Sequence, residues 1–120
     1  MSDKQLSWKY AEEFAAERPE IASARAHSAE LGIEAISPAV GAQLALLVAA
    51  TSATRIIEVG TGVGISGLWM LAGSPTALLT TIDSELDHQQ VARAVFADAN
   101  IPANRVRQIG GKASEVLPRM

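Results

Sequence analysis

The segment Arg55-Ile56-Ile57-Glu58-Val59-Gly60-Thr61-Gly62-Val63-Gly64 is the most informative part of this chain of 120 residues. Its first half is a short β-branched run that ends at a glycine, which predicts a β-strand. Glycines at positions 60, 62 and 64 then let the backbone turn sharply and approach a ligand closely. A helical pattern follows from Ile65 to Ala72, so the N–H groups of the first helical turn point toward that ligand. The segment predicts a strand–loop–helix unit with a binding site at the loop.

The same alternation continues toward the C-terminus. Residues 78–82 predict a second strand that ends at Asp83, and a helix follows from Ser84 to about Ala99. Residues 106–109 predict a third strand, and a last helix begins near Ala113 or Ser114. Strands that are separated by helical crossovers form a parallel sheet. The predicted fold class is therefore α/β, with a Rossmann-like parallel sheet.

The N-terminal region predicts helices without strands. A first helix is expected over residues 7–14, a second over residues 20–31 after Pro19, and a third from Pro38 to about Ala50, with Ser37 as its N-cap. Gly32 is the expected C-cap of the second helix. We expect a single, partial domain over residues 1–120. Its helical N-terminal extension covers residues 1–52, and a cofactor-binding βαβαβ unit covers residues 53–120.

The composition excludes several classes of function. The chain is 48% hydrophobic and 19% charged, which is typical of a globular protein. A net charge of −3 without a cluster of Lys or Arg argues against nucleic acid as a partner. The absence of cysteine excludes a disulfide framework and a thiolate metal site. No apolar run approaches the about 20 residues that span a bilayer, and no secretory signal is apparent, so we expect a cytoplasmic protein with no membrane partner.

An acid follows the second predicted strand. Asp83 lies 19 residues after Gly64, where a carboxylate can accept hydrogen bonds from both hydroxyls of a ribose. A nucleoside-containing cofactor fits this arrangement, and two candidates remain. Gly62, Gly64 and Gly67 match the G-x-G-x-x-G pattern of NAD-binding proteins, although Gly60 already ends the strand where the first fingerprint glycine belongs.

Four segments together resemble one protein family. The segment 57–66 resembles the first motif of class I methyltransferases and, more narrowly, of the cation-dependent catechol and caffeoyl-CoA O-methyltransferases, including bacterial members. Ile36-Ser37-Pro38 with Gly41, Thr80-Thr81-Ile82-Asp83 and the segment 110–118 are similar to three further parts of that family. The resemblance covers roughly residues 30 to 120 and implies the first three strands of a methyltransferase sheet. It favours S-adenosylmethionine over NAD and a small molecule, such as a catechol, as the methyl acceptor.

The resemblance implies cofactor-binding roles for seven residues: Ile36, Glu58, Gly60, Thr61, Ser66, Asp83 and Ala113. Glu58 and the backbone of Gly60 and Thr61 would line the methionine and ribose side. Ser66 would offer its hydroxyl and N–H to the methionine carboxylate, and Asp83 would accept the ribose hydroxyls. Ile36 and Ala113 would lie against the cofactor. No catalytic residue and no metal ligand is assigned.

The family also implies groups that these 120 residues do not supply. Its divalent metal is held by acids near the ends of later strands, beyond position 120, and its first strand is central in the sheet. We therefore expect an N-terminal fragment or truncated product of an enzyme of about 200 residues, inactive by itself. We also expect an open apolar strand edge and a homo-oligomer, most simply a dimer. An NAD(P)-binding oxidoreductase domain and a non-catalytic, self-associating remnant are the alternatives.

Five isolated side chains are expected to lie at the surface or to pack elements of the fold together. His27 and His88 each stand alone on polar helical segments, which is typical of surface histidines. Trp69 is expected to pack its helix against the sheet. Trp8 and Tyr10 are expected on an amphipathic helix that docks on the domain.

Overall fold

A computed structural model describes all residues from Met1 to Met120, with six α-helices and three β-strands. The helices are α1 (Asp3–Phe14), α2 (Pro19–Glu30), α3 (Pro38–Ala50), α4 (Ile65–Ala72), α5 (Leu86–Asp98) and α6 (Ala113–Val116). The strands are β1 (Arg55–Val59), β2 (Leu78–Asp83) and β3 (Val106–Gly110), with short 3₁₀ turns at Ala103–Arg105 and Leu117–Arg119. None of the helices is both long enough and apolar enough to cross a membrane.

The three strands form one parallel sheet in the order β1-β2-β3. Helices α4 and α5 connect consecutive strands and pack on the sheet. Successive side chains of a strand point to opposite faces. Ile56, Leu79 and Val106 therefore share the face that belongs to the apolar core. The α/β class and the Rossmann-like parallel sheet are confirmed.

Strand β1 lies at one edge of this sheet and pairs only with β2. On the face opposite the core, Ile57, Val59 and Leu78 are 56%, 62% and 44% exposed. Parallel sheets are ordinarily covered on both faces. The expectation of an open, apolar strand edge is confirmed.

The N-terminal helices lie close to their predicted positions; α2 ends at Glu30 with Leu31 as its C-cap instead of Gly32, and α1 has the largest shift. Helix α1 begins at Asp3, four residues before the predicted start, because Ser2 and Gln5 form a capping box that the prediction overlooked. Trp8 and Tyr10 are 62% and 68% exposed, and no residue of α1 is buried. The expectation that these two rings dock α1 on the domain is therefore wrong.

The junction between β2 and α5 also differs from the prediction. Helix α5 begins at Leu86 and not at Ser84; its N-cap is Glu85, whose side chain makes no capping hydrogen bond. Asp83 Oδ1 instead accepts the Glu85 N–H at 2.9 Å. The last residue of β2 thus supports the turn into α5.

Trp69 does not pack α4 against the sheet as predicted. Its indole lies against Gly41 of α3, where a Cβ built on Gly41 would come within 2.3 Å of the ring. Gly67 is the residue that approaches the sheet, since its own Cβ would lie 2.9 Å from Leu79 Cδ2. Residues two positions apart in a helix point about 200° apart, so Trp69 must face away from β2. Helix α4 is thereby held between the sheet and α3.

Candidate functional site

The glycine loop between β1 and α4 has a left-handed backbone. Gly60, Gly62 and Gly64 have φ angles of 92°, 54° and 91°, a region that L side chains rarely adopt. A Cβ built on Gly60 or Gly62 would meet no atom within 4 Å. The loop therefore borders open space at two of its three glycines, and a ligand can approach the backbone there.

The N-terminus of α4 faces the same space. Gly64 is the N-cap, and Leu68 is the first α4 residue whose N–H bonds back to it, through the Gly64 carbonyl at 2.9 Å. The amides before Leu68 in the first turn have no acceptor within the helix. The positive end of the helix dipole adds to them, so this end of α4 favours a carboxylate or another anion.

A small cavity lies between the glycine loop and the segment before α3. It has a volume of about 120 Å³, which is below the about 300 Å³ or more of typical small-molecule sites. Its lining residues are Glu34, Ala35, Ile36, Gly60, Thr61, Gly62, Val63, Ile65 and Ser66. The structure thus brings together four of the seven predicted residues, from two segments that lie far apart in the sequence.

Glu58 lies beneath this loop as a partly buried acid. Its Oε1 accepts the Thr81 hydroxyl at 2.7 Å, and its Oε2 accepts the Ser66 hydroxyl. Burial raises the pKa of Glu58 above its ordinary value, against the two donated hydrogen bonds, which lower it. The Thr61 and Thr81 hydroxyls are hydrogen-bonded to each other at 2.7 Å, and both threonines are buried. The side chains of Glu58 and Thr61 therefore form a hydrogen-bond network with Ser66 and Thr81 beneath the loop. Thr61 also lines the cavity.

Asp83 holds the loop from the neighbouring strand. Its Oδ2 accepts the Gly62 N–H at 3.0 Å, while its Oδ1 accepts the Glu85 N–H. Each carboxylate oxygen has a second lone pair, so both remain able to accept a ligand hydroxyl. His88 Nδ1 lies 3.9 Å from Asp83 Oδ2. The His88 side chain is 30% exposed, so it is a partly exposed histidine beside Asp83.

Ala113 is the most peripheral of the seven predicted residues. It opens α6 and does not line the cavity at the glycine loop. The link between its loop and the site is the Gly111 N–H, which donates to the Asp83 carbonyl at 3.0 Å. The structure therefore connects the Ala113 loop to Asp83 through the backbone.

The described residues offer no metal centre. No group of three or more His, Asp or Glu side chains is placed so that it could hold a metal ion. His27 is half-exposed, with Nδ1 3.6 Å from Glu30 Oε2 at the surface of α2.

Comparison with known proteins decides the family. The model of a family described as O-methyltransferase matches residues 11–120. The chain belongs to the O-methyltransferase family. Among similar relatives of this O-methyltransferase chain are two proteins named "Putative O-methyltransferase". One, from Mycobacterium sp. (strain JLS), is 45% identical over 112 residues, which cover 92% of this chain and 51% of the relative. One from Mycobacterium tuberculosis is 45% identical over 114 residues, with 94% and 51% covered.

Solved structures show the same fold. The O-methyltransferase TomG from Streptomyces achromogenes, solved with S-adenosylmethionine, matches with a TM-score of 0.85 and 27% identity over 99% of this chain and 56% of that one. An O-methyltransferase from Bacillus cereus, solved with S-adenosylhomocysteine, matches with a TM-score of 0.83 and 25% identity over 96% and 53% of the two chains. The chain spans about half the length of the relatives and structures it matches.

Two features of the O-methyltransferase site were missed at the sequence level. Thr81 supports Glu58 from the neighbouring strand, and only the strand register, which pairs Glu58 with Thr81, shows this. Arg25 of α2 and Glu17, which lies between α1 and α2, approach the site through the carbonyl of Ile36. The threonine pair Thr80-Thr81 within strand β2 was the available signal for the first feature, and the second left no local signal.

Proposed function

We propose that this chain supplies the methyl-donor half of an S-adenosylmethionine-dependent O-methyltransferase. One observation carries the proposal: the Asp83 carboxylate accepts the Gly62 N–H. This contact places a carboxylate that could bind ribose hydroxyls beside an open glycine loop and a helix N-terminus. Family membership and two matched structures with bound S-adenosylmethionine or S-adenosylhomocysteine support it.

The proposed residue roles follow from charge and burial. The cofactor is a methyl donor with a carboxylate, a ribose and a sulfonium, which supplies the methyl group when bound. The first turn of α4 is suited to the carboxylate, because its N–H groups, including that of Ser66, have no acceptor within the helix. The Ser66 hydroxyl donates to Glu58 instead. The free lone pairs of Asp83 are suited to the ribose hydroxyls. Ile36 supplies apolar contact from the segment before α3, and Ala113 supplies it from the loop tied to Asp83.

The acceptor is proposed as a small hydroxylated molecule, of which a catechol is the narrower form. The family resemblance also implies a divalent metal, but no set of ligands for it occurs among these residues. We propose that residues 1–120 are part of one methyltransferase domain and that acceptor activation needs groups outside them.

An NAD(P)-binding oxidoreductase is the second candidate, and one observation favours it. Gly67 packs so closely on β2 that a Cβ would lie 2.9 Å from Leu79, which is the role of the third glycine in the dinucleotide fingerprint. The same contact serves any crossover helix that lies close to its sheet. The family match therefore decides for the methyl donor.

Titration calorimetry separates the two candidates. We expect the chain to bind S-adenosylhomocysteine and S-adenosylmethionine and to give no heat with NAD or NADP. Binding of NAD alone would refute the proposal. A methyl-transfer assay with a catechol and Mg²⁺ is expected to show no turnover by this chain, and metal-dependent turnover would contradict the assignment of half a site.

We further propose that the chain forms a homo-oligomer, most simply a dimer. Two apolar surfaces support this proposal. One is the uncovered sheet face with Ile57 and Val59, and the other is a stripe on α1 formed by Leu6, Tyr10 and Phe14, which are 51%, 68% and 75% exposed. Exposed patches of this kind are typical of interaction sites.

A further inference from the structure

Glu17 and Arg25 form an ion pair that reaches toward the glycine loop. Arg25 Nε and Nη2 donate to the two carboxylate oxygens of Glu17 at 2.7 Å and 2.8 Å. The third side-chain nitrogen, Nη1, donates to the Ile36 carbonyl at 2.6 Å. Glu17 Oε2 also accepts the Trp69 indole N–H at 3.1 Å. The four residues come from four separate parts of the chain, and we call this network the Glu17–Arg25 clamp.

The clamp holds the part of the cavity wall that has least support of its own. Residues 34–36 lie between α2 and α3, in neither helix nor strand. Ser28 holds the segment just before them, because its hydroxyl donates to the Ile33 carbonyl at 2.5 Å. Ser37 holds the segment just after them, as the N-cap of α3. Between these anchors, the only hydrogen bond to residues 34–36 is the one that Arg25 donates to Ile36.

The other end of the clamp is tied to α4. Trp69 lies on the helix whose N-terminus faces the site, and its ring is wedged against Gly41 of α3. A single carboxylate, that of Glu17, therefore links α4 to the guanidinium that holds Ile36. This connects the two walls of the cavity, namely the segment 34–36 and the glycine loop that leads into α4.

We propose that Glu17 and Arg25 are positioning residues, which hold residues 34–36 at the distance from the glycine loop that cofactor binding requires. The inference rests on the proposed function, because it assigns the cofactor to that cavity. Neither side chain lines the cavity, so both act through Ile36 and not by touching the ligand.

The surroundings of Glu17 and Arg25 favour the charged form of both side chains, because they lower the pKa of Glu17 and raise the pKa of Arg25. The side chains of Glu17 and Arg25 are 10% and 28% exposed. The hydrogen bonds from Arg25 lower the pKa of Glu17 below its ordinary value, despite partial burial that raises it. Arginine is needed because its planar fork serves the two Glu17 oxygens and the Ile36 carbonyl at once. The single ammonium of lysine is a point charge that cannot reproduce this fork geometry.

The test compares Arg25→Lys with Arg18→Lys, the same change at an exposed position without a side-chain hydrogen bond. Calorimetry with S-adenosylhomocysteine is expected to show about tenfold weaker binding for Arg25→Lys and no change for Arg18→Lys, since a lost charge-assisted hydrogen bond has an effect of that size. Glu17→Gln is the second variant, should Arg25→Lys fail to fold. Binding by either clamp variant equal to that of the unsubstituted chain would overturn the proposal.

Hydrogen exchange supplies a readout that general destabilisation would not move. In the ligand-free chain, Arg25→Lys is expected to raise amide exchange at Ile33 and Val40, the hydrogen-bonded amides that flank residues 34–36, while the amides in the middle of α2 and α4 keep their protection. Faster exchange spread over both helices, or unchanged exchange at Ile33 and Val40, would contradict a positioning role. If the unsubstituted chain binds no S-adenosylhomocysteine, the proposed function fails, and the exchange measurement still decides whether the clamp holds the segment.

Discussion

Glu58 is the partly buried carboxylate beneath the glycine loop. Its burial makes the ionised form unfavourable in the folded state, so its ionisation opposes folding. Burial raises its pKa in the folded chain above the value of about 4.3 expected for an unfolded glutamate. The folded state then binds the proton more tightly than the unfolded state. The contribution of Glu58 to stability is therefore fully present below the unfolded pKa and is lost as the pH rises through the folded pKa.

Glu58→Gln is expected to remove this pH dependence. The free energy of unfolding, measured with urea from pH 4 to pH 8, should fall less steeply with rising pH in the variant than in the unsubstituted chain. Glu115→Gln, at an exposed site on α6, is the matched control and should keep the original profile. Identical profiles for Glu58→Gln and the unsubstituted chain would contradict the burial argument.

Asp83 is the residue on which the cofactor assignment depends most. Asp83→Asn removes the charge that would accept ribose hydroxyls and weakens the hydrogen bond to the Gly62 N–H. Binding of S-adenosylhomocysteine should weaken by at least about tenfold, the effect of losing one charge-assisted hydrogen bond. Asp87→Asn, in the first turn of α5, serves as the control and should bind normally. Unaltered calorimetry with Asp83→Asn would exclude Asp83 from the site.

Helices α3 and α4 approach each other closely because Gly41 of α3 has no side chain. Alanine usually stabilises a helix interior relative to glycine by about 1 kcal/mol. Gly41→Ala should have the opposite sign, because the new Cβ would lie 2.3 Å from the Trp69 ring and both residues are buried. We expect a loss of about 1–3 kcal/mol in urea unfolding, the range for overpacked cores.

A double-mutant cycle assigns the cause of that loss. In a Trp69→Leu background, which removes the ring that meets the Cβ, the cost of Gly41→Ala should largely disappear. A cost that is the same in both backgrounds would show that Trp69 is not the obstacle. Displacement of the indole should also weaken the clamp, since Trp69 donates to Glu17.

For the molecule as a whole, the uncovered sheet face is the feature with the largest expected effect on behaviour in solution. Ile57 and Val59 lie on a strand with one free edge and remain more than half exposed. Ile57→Lys should shift the chain toward monomer in sedimentation, because charged side chains on edge strands oppose association. Leu86→Lys, at a 67% exposed position on α5, is the control and should leave association unchanged. A strictly monomeric unsubstituted chain would refute the proposed oligomer.

Local patterns were sufficient to predict most elements of this molecule. Strand β1 and helices α3 and α4 fall where β-branched runs, an N-cap before proline and glycine stops predict them, because such signals act within a few residues. The sequence also predicted the open edge of β1 and the glycine loop that we propose as the cofactor site. The start of α1 was misplaced because a capping box at its exposed end carries little hydrophobic periodicity.

The chain's own sequence thus determines the parallel α/β architecture, the left-handed glycine loop and the acid at the end of β2, because all three depend on short-range backbone preferences and on strand order. Only the tertiary structure decided that Trp69 faces α3, that Thr81 supports Glu58, and that Glu17 and Arg25 hold Ile36 beside the glycine loop. The hydrogen bond from Trp69 to Glu17 joins residues 52 positions apart. These contacts exist only after the helices have packed, and no local propensity encodes which side chains then meet.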